Sequence, residues 1–244
     1  MKLSGKNSVI ERLRSNPKSI RKIYLEQGFK GTLFIHKKAK QWGIPVLPVP
    51  QSKMMKIGRD KNVQGILVDV EDFHYSPYDE LLDTAIKKKR SLIFLDGLND
   101  PQNFGAIIRS LACLGKFSII LPTHDSVSVT ETVLRVASGG DNYVPIAKVA
   151  NLGQAIKRAK DSGFHIAGAV VKDGKNLNEI TLPYPMGLVI GSEQKGIRDA
   201  IRKSLDIELT IPMASDTLSF NVAHATTVLC YEIAKQKTNY QKEK

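Results

Sequence analysis

Three segments of the chain each carry polar side chains on the C-terminal side of an apolar run. The first carries Asn103 and Arg109, the second Glu193, and the third Ser219 and Asn221. Each apolar run has the length of a buried strand, and open α/β sheets bind ligands at the carboxyl ends of their strands. The three segments therefore predict a ligand site at that edge of a sheet.

The first segment joins a predicted strand to a predicted helix. Asp100 suits the N-cap of that helix and Pro101 its first position. Gly105 inside a helix costs about 1 kcal/mol relative to alanine, which predicts a close backbone approach there. Asn103 and Arg109 are less than two turns apart, so both can face one end of the sheet. Taken alone, a cap followed by an exposed arginine is an equally good interpretation.

The second segment contains a tight loop from Gly191 to Gly196. Glycine permits tight backbone turns and direct contact with a ligand. The glycine spacing is that of a phosphate loop, but Ile197 and Arg198 occupy the positions where such a loop needs Lys and Ser or Thr. An ATP site of the usual kind is therefore excluded. Glu193 could also be an acid favoured at a helix start by the helix dipole.

The third segment leads from a strand through a polar loop into a helix. Ser219 and Asn221 flank Phe220 at its end, and for Ser219 alone an ordinary N-cap is the better interpretation. Other fingerprints are missing from the chain. No Gly-x-Gly-x-x-Gly follows a predicted strand and no Gly-x-Ser-x-Gly is present, which disfavours Rossmann dinucleotide and hydrolase sites.

The elements that carry these segments alternate between strands and helices. The predicted strands are 91–96, 117–121, 143–146, 164–171, 187–191 and 207–211. The predicted helices are 103–114, 131–138, 151–162 and 195–203, with a long final helix from 219. Short apolar runs separated by helices are typical of a mostly parallel sheet covered on both faces, so the predicted fold class is α/β.

Most of the net charge lies before this region. The chain of 244 residues carries +12, and residues 1–70 contain 15 Lys and Arg against 4 Asp and Glu, a balance of +11. This excess of positive charge indicates a polyanionic partner, either nucleic acid or an acidic membrane. No apolar run approaches the ~18 residues of a membrane-spanning helix, so nucleic acid is favoured.

The basic block also has an α/β pattern, which predicts a small domain of its own. We predict three regions: a domain at 1–70 that follows a phosphate backbone, a linker with a short helix at 71–90, and a larger domain at 91–244. Within the first, the pattern predicts a helix around 9–13, strands at 20–25 and 65–70 and a helix at 31–42. It also predicts an extended proline-rich segment at 45–50, either an edge strand or a connector.

Cysteine usage and the first residues predict a cytosolic location. Cys113 and Cys230 sit in apolar helical patterns, so we expect two buried free thiols and no disulfide. No Cys or His pair has the spacing of zinc ligands, and no metal is expected. The first residues lack the apolar core of a signal peptide.

In this order and spacing, the three segments resemble the motifs of the SpoU/TrmH-type SPOUT RNA ribose 2′-O-methyltransferases. The similarity is greatest to bacterial 23S rRNA guanosine-2′-O-methyltransferases. Residues 1–70 resemble the ribosomal-protein-like RNA-binding domain of that family, which here begins Gly5-Lys6-Asn7-Ser8-Val9-Ile10-Glu11. The resemblance covers essentially the whole chain.

The resemblance implies a trefoil-knotted parallel-sheet domain that binds S-adenosylmethionine and forms a homodimer through the knotted region. By position, the cofactor contacts are Gly191, Ile211 and Phe220. The small residues Ala223, Ala225 and Thr226 would suit close helix packing between two subunits.

The resemblance also assigns the catalytic positions to Asn103, Arg109, Glu193, Ser219 and Asn221. Guanidinium groups stay protonated in proteins, so Arg109 is expected to hold the target phosphate and ribose rather than to act as a base. Ser219 and Asn221 would orient the 2′-hydroxyl. Glu193 would hold Arg109 or accept a proton.

Two other functions stay open at this stage. A tRNA ribose methyltransferase would carry the same motifs, although the basic N-terminal region favours a larger RNA. A noncatalytic RNA-binding or ribosome-assembly factor could keep the fold, although the complete polar set argues against it. Labelling total RNA with S-adenosylmethionine separates the three.

Overall fold

The computed structural model describes residues 1–58, 63–215 and 217–242, the last four of these by backbone alone. The strands are β1 (Lys2–Ser4), β2 (Ile20–Glu26), β3 (Val46–Val49), β4 (Ile66–Val70), β5 (Ser91–Asp96), β6 (Phe117–Pro122), β7 (Ile146–Val149), β8 (His165–Ala169), β9 (Lys175–Asn176), β10 (Met186–Gly191) and β11 (Ile207–Thr210). The α-helices are α1 (Lys6–Ser15), α2 (Leu33–Gln41), α3 (Gln51–Gly58), α4 (Tyr78–Lys87), α5 (Pro101–Leu114), α6 (Glu131–Ala137), α7 (Leu152–Asp161), α8 (Asp199–Arg202) and α9 (Val222–Lys242).

The chain forms two compact units, each assembled from two stretches of sequence. Residues 1–74 and 129–143 form the N-terminal unit, and residues 75–128 and 144–244 form the C-terminal unit. The chain therefore leaves the C-terminal unit after β6 and returns to it before β7. The boundaries expected from the sequence, 1–70, 71–90 and 91–244, treat each domain as one continuous stretch.

The described residues of the N-terminal unit form a four-stranded sheet in the order β1-β4-β2-β3. Strand β2 pairs antiparallel with β4 and parallel with β3. Side chains alternate along β4, so that Leu67 packs with Met54 of α3 while Ile66 and Val68 are buried on the other face. The proline-rich segment lies at the edge of the sheet as β3, the first of the two placements predicted for it.

The stretch 129–143 is held in the N-terminal unit by polar contacts. The guanidinium of Arg12 on α1 forms an ion pair with the carboxylate of Asp141, and both side chains are buried. The backbone N–H of Lys2 donates to Glu131 Oε1 at 2.6 Å. Helix α6 is therefore part of this unit, although its place in the sequence is between two strands of the other one.

The C-terminal unit, over its described residues, forms a seven-stranded sheet in the order β7-β6-β5-β10-β8-β11-β9. Every pairing in it is parallel. Its core includes side chains from strands and helices, among them Leu92, Phe94, Ile156, Val189 and Ile201. The α/β class with a parallel sheet, preceded by a small α/β domain, is confirmed.

Several local predictions are wrong in ways the structure explains. The strand expected at 143–146 begins only at Ile146, because residues 140–142 form a 3-10 turn that carries Asp141 to Arg12. Helix α8 is much shorter than the predicted 195–203, because a turn closes between Ser192 and Gly196 first. Cys113 is exposed rather than buried, since it lies about 200° around α5 from the buried Leu111. Cys230 is buried as expected, and both thiols are free.

Candidate active site

The site lies where β5 and β10 end side by side. Asp96, the last residue of β5, is in register with Gly191, the last residue of β10. Helix α5 begins five residues after β5, and the Asp100 carboxylate caps it by accepting the backbone N–H of Gln102 at 2.9 Å. Pro101 follows at the first helical position, so the predicted cap is confirmed.

Three polar side chains from the three segments form one hydrogen-bonded cluster. The Nδ2 of Asn103 donates to Glu193 Oε1 at 3.1 Å. The Nδ2 of Asn221 donates to the same oxygen at 2.9 Å and to Asn103 Oδ1 at 3.0 Å. The structure thus brings together residues that are up to 118 positions apart in the chain. Glu193 Oε2 makes no hydrogen bond within the described part of the chain.

The cluster also fixes the start of α9. Asn221 Oδ1 accepts the backbone N–H of Ala223 at 2.9 Å, and the N–H of Val222 points at Glu193 Oε1 from 3.4 Å. The helix begins at Val222, so Ser219 is not its N-cap and the ordinary interpretation of that serine is wrong. Glu193 does not start a helix either, because α8 begins only at Asp199.

Arg109 stands apart from this cluster. It is an exposed residue of α5, and no described group forms an ion pair or hydrogen bond with its guanidinium. The expected contact between Glu193 and Arg109 is therefore not formed, because Glu193 bonds the two asparagines instead. An exposed guanidinium without a protein anion beside it is suited to bind an anion from solution.

A buried carboxylate holds the loop that carries Glu193. Asp96, whose side chain is fully buried, accepts the backbone N–H of Arg198 at 2.8 Å and its Nε at 2.7 Å, and Arg198 Nη2 lies 2.6 Å from the same carboxylate. Ser192 and Gly196 pair across the loop through two backbone hydrogen bonds of 3.1 and 2.9 Å. A Cβ at Gly191 would lie 2.1 Å from the carbonyl carbon of Gly196, so this turn requires glycine there.

An apolar cavity of about 410 Å³ opens beside the cluster. All three predicted cofactor contacts, Gly191, Ile211 and Phe220, line it, as do Ser219 and Asn221. Its other walls are mostly aliphatic, and include Val170, Ile190, Leu209, Met213 and Leu229. The segment that leads to it contains Asp216, which lies outside the described residues.

A second, more polar cavity of about 550 Å³ borders the same loop. Asn103, Ser192 and Glu193 line it, together with Asp125 and Lys195. Ser192, Glu193 and Gly196 line both cavities, so the polar cluster stands at their boundary. A small apolar ligand in the first cavity and a polar ligand in the second could therefore lie next to each other, with Glu193 at the boundary.

Sequence reasoning missed the residues that support the site. Asp96 and Arg198 were not expected to take part, yet they fix the loop of Glu193. The available signal was the acid that ends the otherwise apolar strand Ser91–Asp96, because a buried charge is rare without a partner. His124 and Asp125 also line the polar cavity.

The described residues hold no group of three or more His, Cys, Asp and Glu placed to bind a metal. Across the same part of the chain, no helix is long and apolar enough to span a membrane.

Two stretches of the chain match known protein families. Residues 90–231, more than half of the chain, match the SpoU rRNA methylase family. Residues 3–76 match the RNA 2′-O ribose methyltransferase substrate-binding domain. The chain belongs to the SpoU rRNA methylase family.

Two bacterial relatives extend this result. A putative TrmH family tRNA/rRNA methyltransferase of Staphylococcus epidermidis is 32% identical over 237 residues, which cover 96% of this chain and 94% of that protein. An uncharacterised tRNA/rRNA methyltransferase of Synechocystis is 37% identical over 201 residues, and this chain spans only 52% of its length.

Solved structures show the same fold. The SpoU methyltransferase AviRb from Streptomyces viridochromogenes, solved in complex with AdoMet, superposes with a TM-score of 0.81 over 98% of this chain and 91% of that one, at 20% identity. An AdoMet-bound rRNA methyltransferase from Sinorhizobium meliloti gives a TM-score of 0.79 over 97% and 87%, at 24% identity.

Proposed function

We propose that this protein transfers a methyl group from S-adenosylmethionine to a ribose 2′-hydroxyl of RNA, with a guanosine of 23S rRNA as the substrate we favour. The observation that carries the proposal is the Asn103–Glu193–Asn221 cluster, which stands between an apolar cavity and a polar one. The relatives are named as acting on tRNA or rRNA, which supports an RNA substrate of either kind.

The residues of the apolar cavity fit S-adenosylmethionine. A volume of about 410 Å³ is within the range of small-molecule sites, which are mostly apolar with a few placed polar groups. Ile211 and Phe220 would hold the cofactor through apolar contact. Gly191 would contribute backbone groups only, because a side chain at that position would collide with Gly196. When bound, this cofactor supplies an electrophilic methyl group on a positively charged sulfur.

The cluster residues would position the acceptor hydroxyl and its proton. Asn103 and Asn221 hold Glu193 through its Oε1 alone, which leaves Oε2 to accept a proton from a ribose hydroxyl in the polar cavity. Ser219 lines the cofactor cavity close to Asn221 and could orient the same hydroxyl. Holding the reacting groups in line accounts for a large part of such catalysis.

Arg109 would bind the phosphate next to the target ribose. Its exposed guanidinium has no protein partner among the described residues, and a guanidinium matches a phosphate with two parallel hydrogen bonds. It would therefore anchor the nucleotide whose hydroxyl reacts. This assignment keeps the arginine charged throughout and gives the proton to Glu193.

The proposal includes a homodimer formed through the C-terminal unit. Ala223 and Thr226, expected to pack between subunits, are buried within the chain, and Thr227 Oγ1 donates to Ser110 Oγ at 2.8 Å as α9 packs on α5. The exposed apolar residues of α9 are instead Val228 and Tyr231. These two support a partner helix on the outer face of α9.

The test is methyl transfer to defined RNA. Methyl-labelled S-adenosylmethionine is incubated with the protein and unmodified transcripts of 23S rRNA or tRNA, and the labelled nucleotide is mapped after alkaline hydrolysis, which spares 2′-O-methylated linkages. Label in tRNA alone would select the tRNA alternative, and label on a base would contradict the ribose assignment. Absence of label in every RNA would contradict both enzymatic functions and would favour the noncatalytic RNA-binding factor.

The Arg109→Ala variant tests the phosphate assignment. We expect its kcat/KM for RNA to fall by about two orders of magnitude while S-adenosylmethionine still binds, because the lost contact is a charge-assisted one to the substrate. Arg158→Ala, which removes another exposed arginine, on α7 and paired with Asp79, should keep near-normal activity. Near-normal transfer by Arg109→Ala would overturn the assignment.

A further inference from the structure

Basic side chains gather at the amino ends of β5 and β6, on the edge of the sheet opposite the candidate active site. Arg90 and Lys116 come directly before Ser91 and Phe117, and these two residues are in register where the strands begin. The backbone N–H of Ser91 donates to the carbonyl of Lys116 at 2.9 Å, and Arg90 Nη1 donates to the carbonyl of Phe117 at 2.7 Å. The two segments are therefore held side by side.

Lys237 reaches the same place from α9. Its Nζ donates to Ser91 Oγ at 3.2 Å, and Ser91 is only 1% exposed. A lysine on a helix surface usually extends its amine into water. Here the amine turns inward to a neutral hydroxyl, which uses one of its three N–H donors and cancels none of its charge.

These lysines have no carboxylate partner within the described part of the chain. Lys89, Lys116 and Lys237 form no ion pair with any described residue. The stretches that supply them, 84–95, 101–124 and 233–242, contain no Asp or Glu. The positive charge at this edge of the sheet is therefore not neutralised by its own segments.

The position of Lys237 is unfavourable without an anion. Burial and, to a smaller extent, the charges of Lys116, Arg90 and Lys89 lower the pKa of its amine to about 8. Lysines are rarely buried without a charged partner, and a desolvated cation among like charges lowers stability. Several monovalent cations around one point match an anion of more than one charge, and lysine is a common phosphate ligand.

The turn that precedes β5 is already ordered. The backbone N–H of Lys88 donates to the carbonyl of Thr84 at 2.9 Å, and that of Arg90 to the carbonyl of Ala85 at 2.7 Å. Lys89 lies between them with a φ of 50° and an exposed side chain. A ligand would therefore meet a turn whose backbone is fixed beforehand, which lowers the cost of binding.

We propose that Lys89, Lys116 and Lys237, with Arg90 beside them, form a phosphate-binding site at the amino edge of the parallel sheet. Along α9, Lys237 lies about 22 Å from Val222, which lines the cofactor cavity, so the two sites are separate. The inference does not depend on the proposed function. A phosphate of the RNA backbone and a small phosphorylated compound present the same oxyanion, and the experiments below distinguish them.

Thermal unfolding of the full-length protein tests the site with inorganic phosphate as the probe. Tm is measured near neutral pH in sodium phosphate and in sodium chloride of equal ionic strength. A ligand that binds only the folded state raises Tm, and millimolar affinity predicts a rise of about 2–4 °C over the chloride series at about 50 mM phosphate. Equal Tm in the two series would overturn the proposal and leave the proposed function intact.

Variants separate binding from the general stabilising effect of phosphate on folded proteins. Lys237→Met should lose the specific rise, although it should be at least as stable as the wild type in chloride because it buries a neutral side chain. Misfolding therefore cannot explain the loss. Lys116→Gln should lose part of the rise. Lys203→Gln, which removes an exposed lysine just after α8 that also has no described partner, should keep all of it. An undiminished rise in Lys237→Met would reject the site.

RNA binding distinguishes the two sources of phosphate. Filter retention of an unmodified 23S rRNA transcript is measured for the wild type and Lys237→Met over a range of salt concentrations. A phosphate of the RNA predicts weaker binding by the variant and a salt slope of log K that is smaller by about 0.7–0.9. Equal affinity and slope, together with the Tm response, assign the site to a small phosphorylated compound. Failure of the wild type to bind any RNA would contradict the proposed function but not this site.

Discussion

The side-chain carboxylate of Asp96 binds both the backbone N–H and the guanidinium of Arg198. The contact bridges the carboxyl ends of two neighbouring strands. The carboxylate is fully buried and receives the Arg198 N–H at 2.8 Å and Nε at 2.7 Å. The arginine itself is 59% exposed, so water reaches it but not its partner. This contact joins the end of β5 to the loop that begins at the end of β10 and carries Glu193.

The Asp96→Asn change should therefore displace Glu193, a residue that Asp96 does not contact. The amide keeps the shape but loses the charge that holds Arg198, so the loop loosens and Glu193 shifts. We expect kcat to fall about 10- to 100-fold with little change in KM for RNA, and stability to fall by about 2–3 kcal/mol. Steady-state kinetics and thermal unfolding check both effects. Glu208→Gln, which breaks the exposed ion pair with Arg202, should cost less than about 1 kcal/mol.

The Glu193→Gln change tests the proton acceptor. Glutamine can still accept hydrogen bonds from Asn103 and Asn221 through its amide oxygen, so the cluster keeps its shape. We expect methyl transfer to fall at least about 100-fold while S-adenosylmethionine and RNA affinities stay within a few-fold. Single-turnover transfer and equilibrium binding separate the two. A fall of less than about tenfold would assign Glu193 a positioning role only.

Deletion of residues 1–70 should destabilise the rest of the chain. It should therefore not give a stable C-terminal fragment that differs only in weaker RNA binding. The deletion removes Arg12 and so leaves the buried carboxylate of Asp141 without its ion-pair partner. A broken buried pair costs about 3–5 kcal/mol, and α6 also loses its packing partners in the same unit. Deletion of 1–74 together with replacement of 129–143 by a short flexible linker should give the soluble fragment, which retains S-adenosylmethionine binding.

Point variants isolate this ion pair in the full-length protein. Arg12→Met should lower the free energy of unfolding by about 3–5 kcal/mol, whereas Arg12→Met with Asp141→Leu should recover most of the loss. Denaturant unfolding measures both. Equal stability of the single and double variants would show that the pair is not responsible.

Lys237 makes stability depend on pH in the alkaline range. Burial, together with the smaller effect of the positive charges of Lys116, Arg90 and Lys89, lowers the pKa of its amine to about 8. The unfolded chain then binds this proton more tightly than the folded one, so its unfavourable contribution is present below pH 8 and is relieved as pH rises towards 10.5. Because water still reaches the side chain, Lys237→Met should stabilise the protein at pH 7 by only about 1 kcal/mol, or about 2–4 °C in Tm. The gain should shrink when melting is measured at pH 10.

The two thiols should differ in reactivity. Cys113 is exposed, whereas Cys230 is fully buried and its pKa is raised by that burial. The thiolate is the reactive form, so a maleimide should label the native protein once, at Cys113. Peptide mapping identifies the site, and labelling of Cys230 without denaturant would contradict the buried position.

Much of the architecture could be predicted from local pattern. The runs Ser91–Asp96 and Met186–Gly191 are apolar throughout, which marks them as strands buried on both faces. The cap at Asp100 followed by Pro101 fixed the start of α5 within the sequence itself. The predicted element boundaries were wrong where a contact between distant residues decides them. One example is the start of β7 at Ile146, because the turn before it is held by Arg12.

The sequence by itself determined which residues are candidates for the site. Asn103, Glu193 and Asn221 each follow a strand, and parallel strands end at one edge, so their residue types and order already placed them on the same side of the sheet. Charge counts likewise located the basic region in residues 1–70. Both conclusions depend on information that is local along the chain.

Only the tertiary structure decided how those candidates are connected. It bonded Glu193 to two asparagines rather than to Arg109, gave the loop its support from Asp96, and placed 129–143 with the N-terminal unit. Each of these is a choice among several possible partners that are remote in sequence. Hydrogen-bond geometry and the cost of burying an unpaired charge make that choice, and they act only once the sheet has brought the partners together.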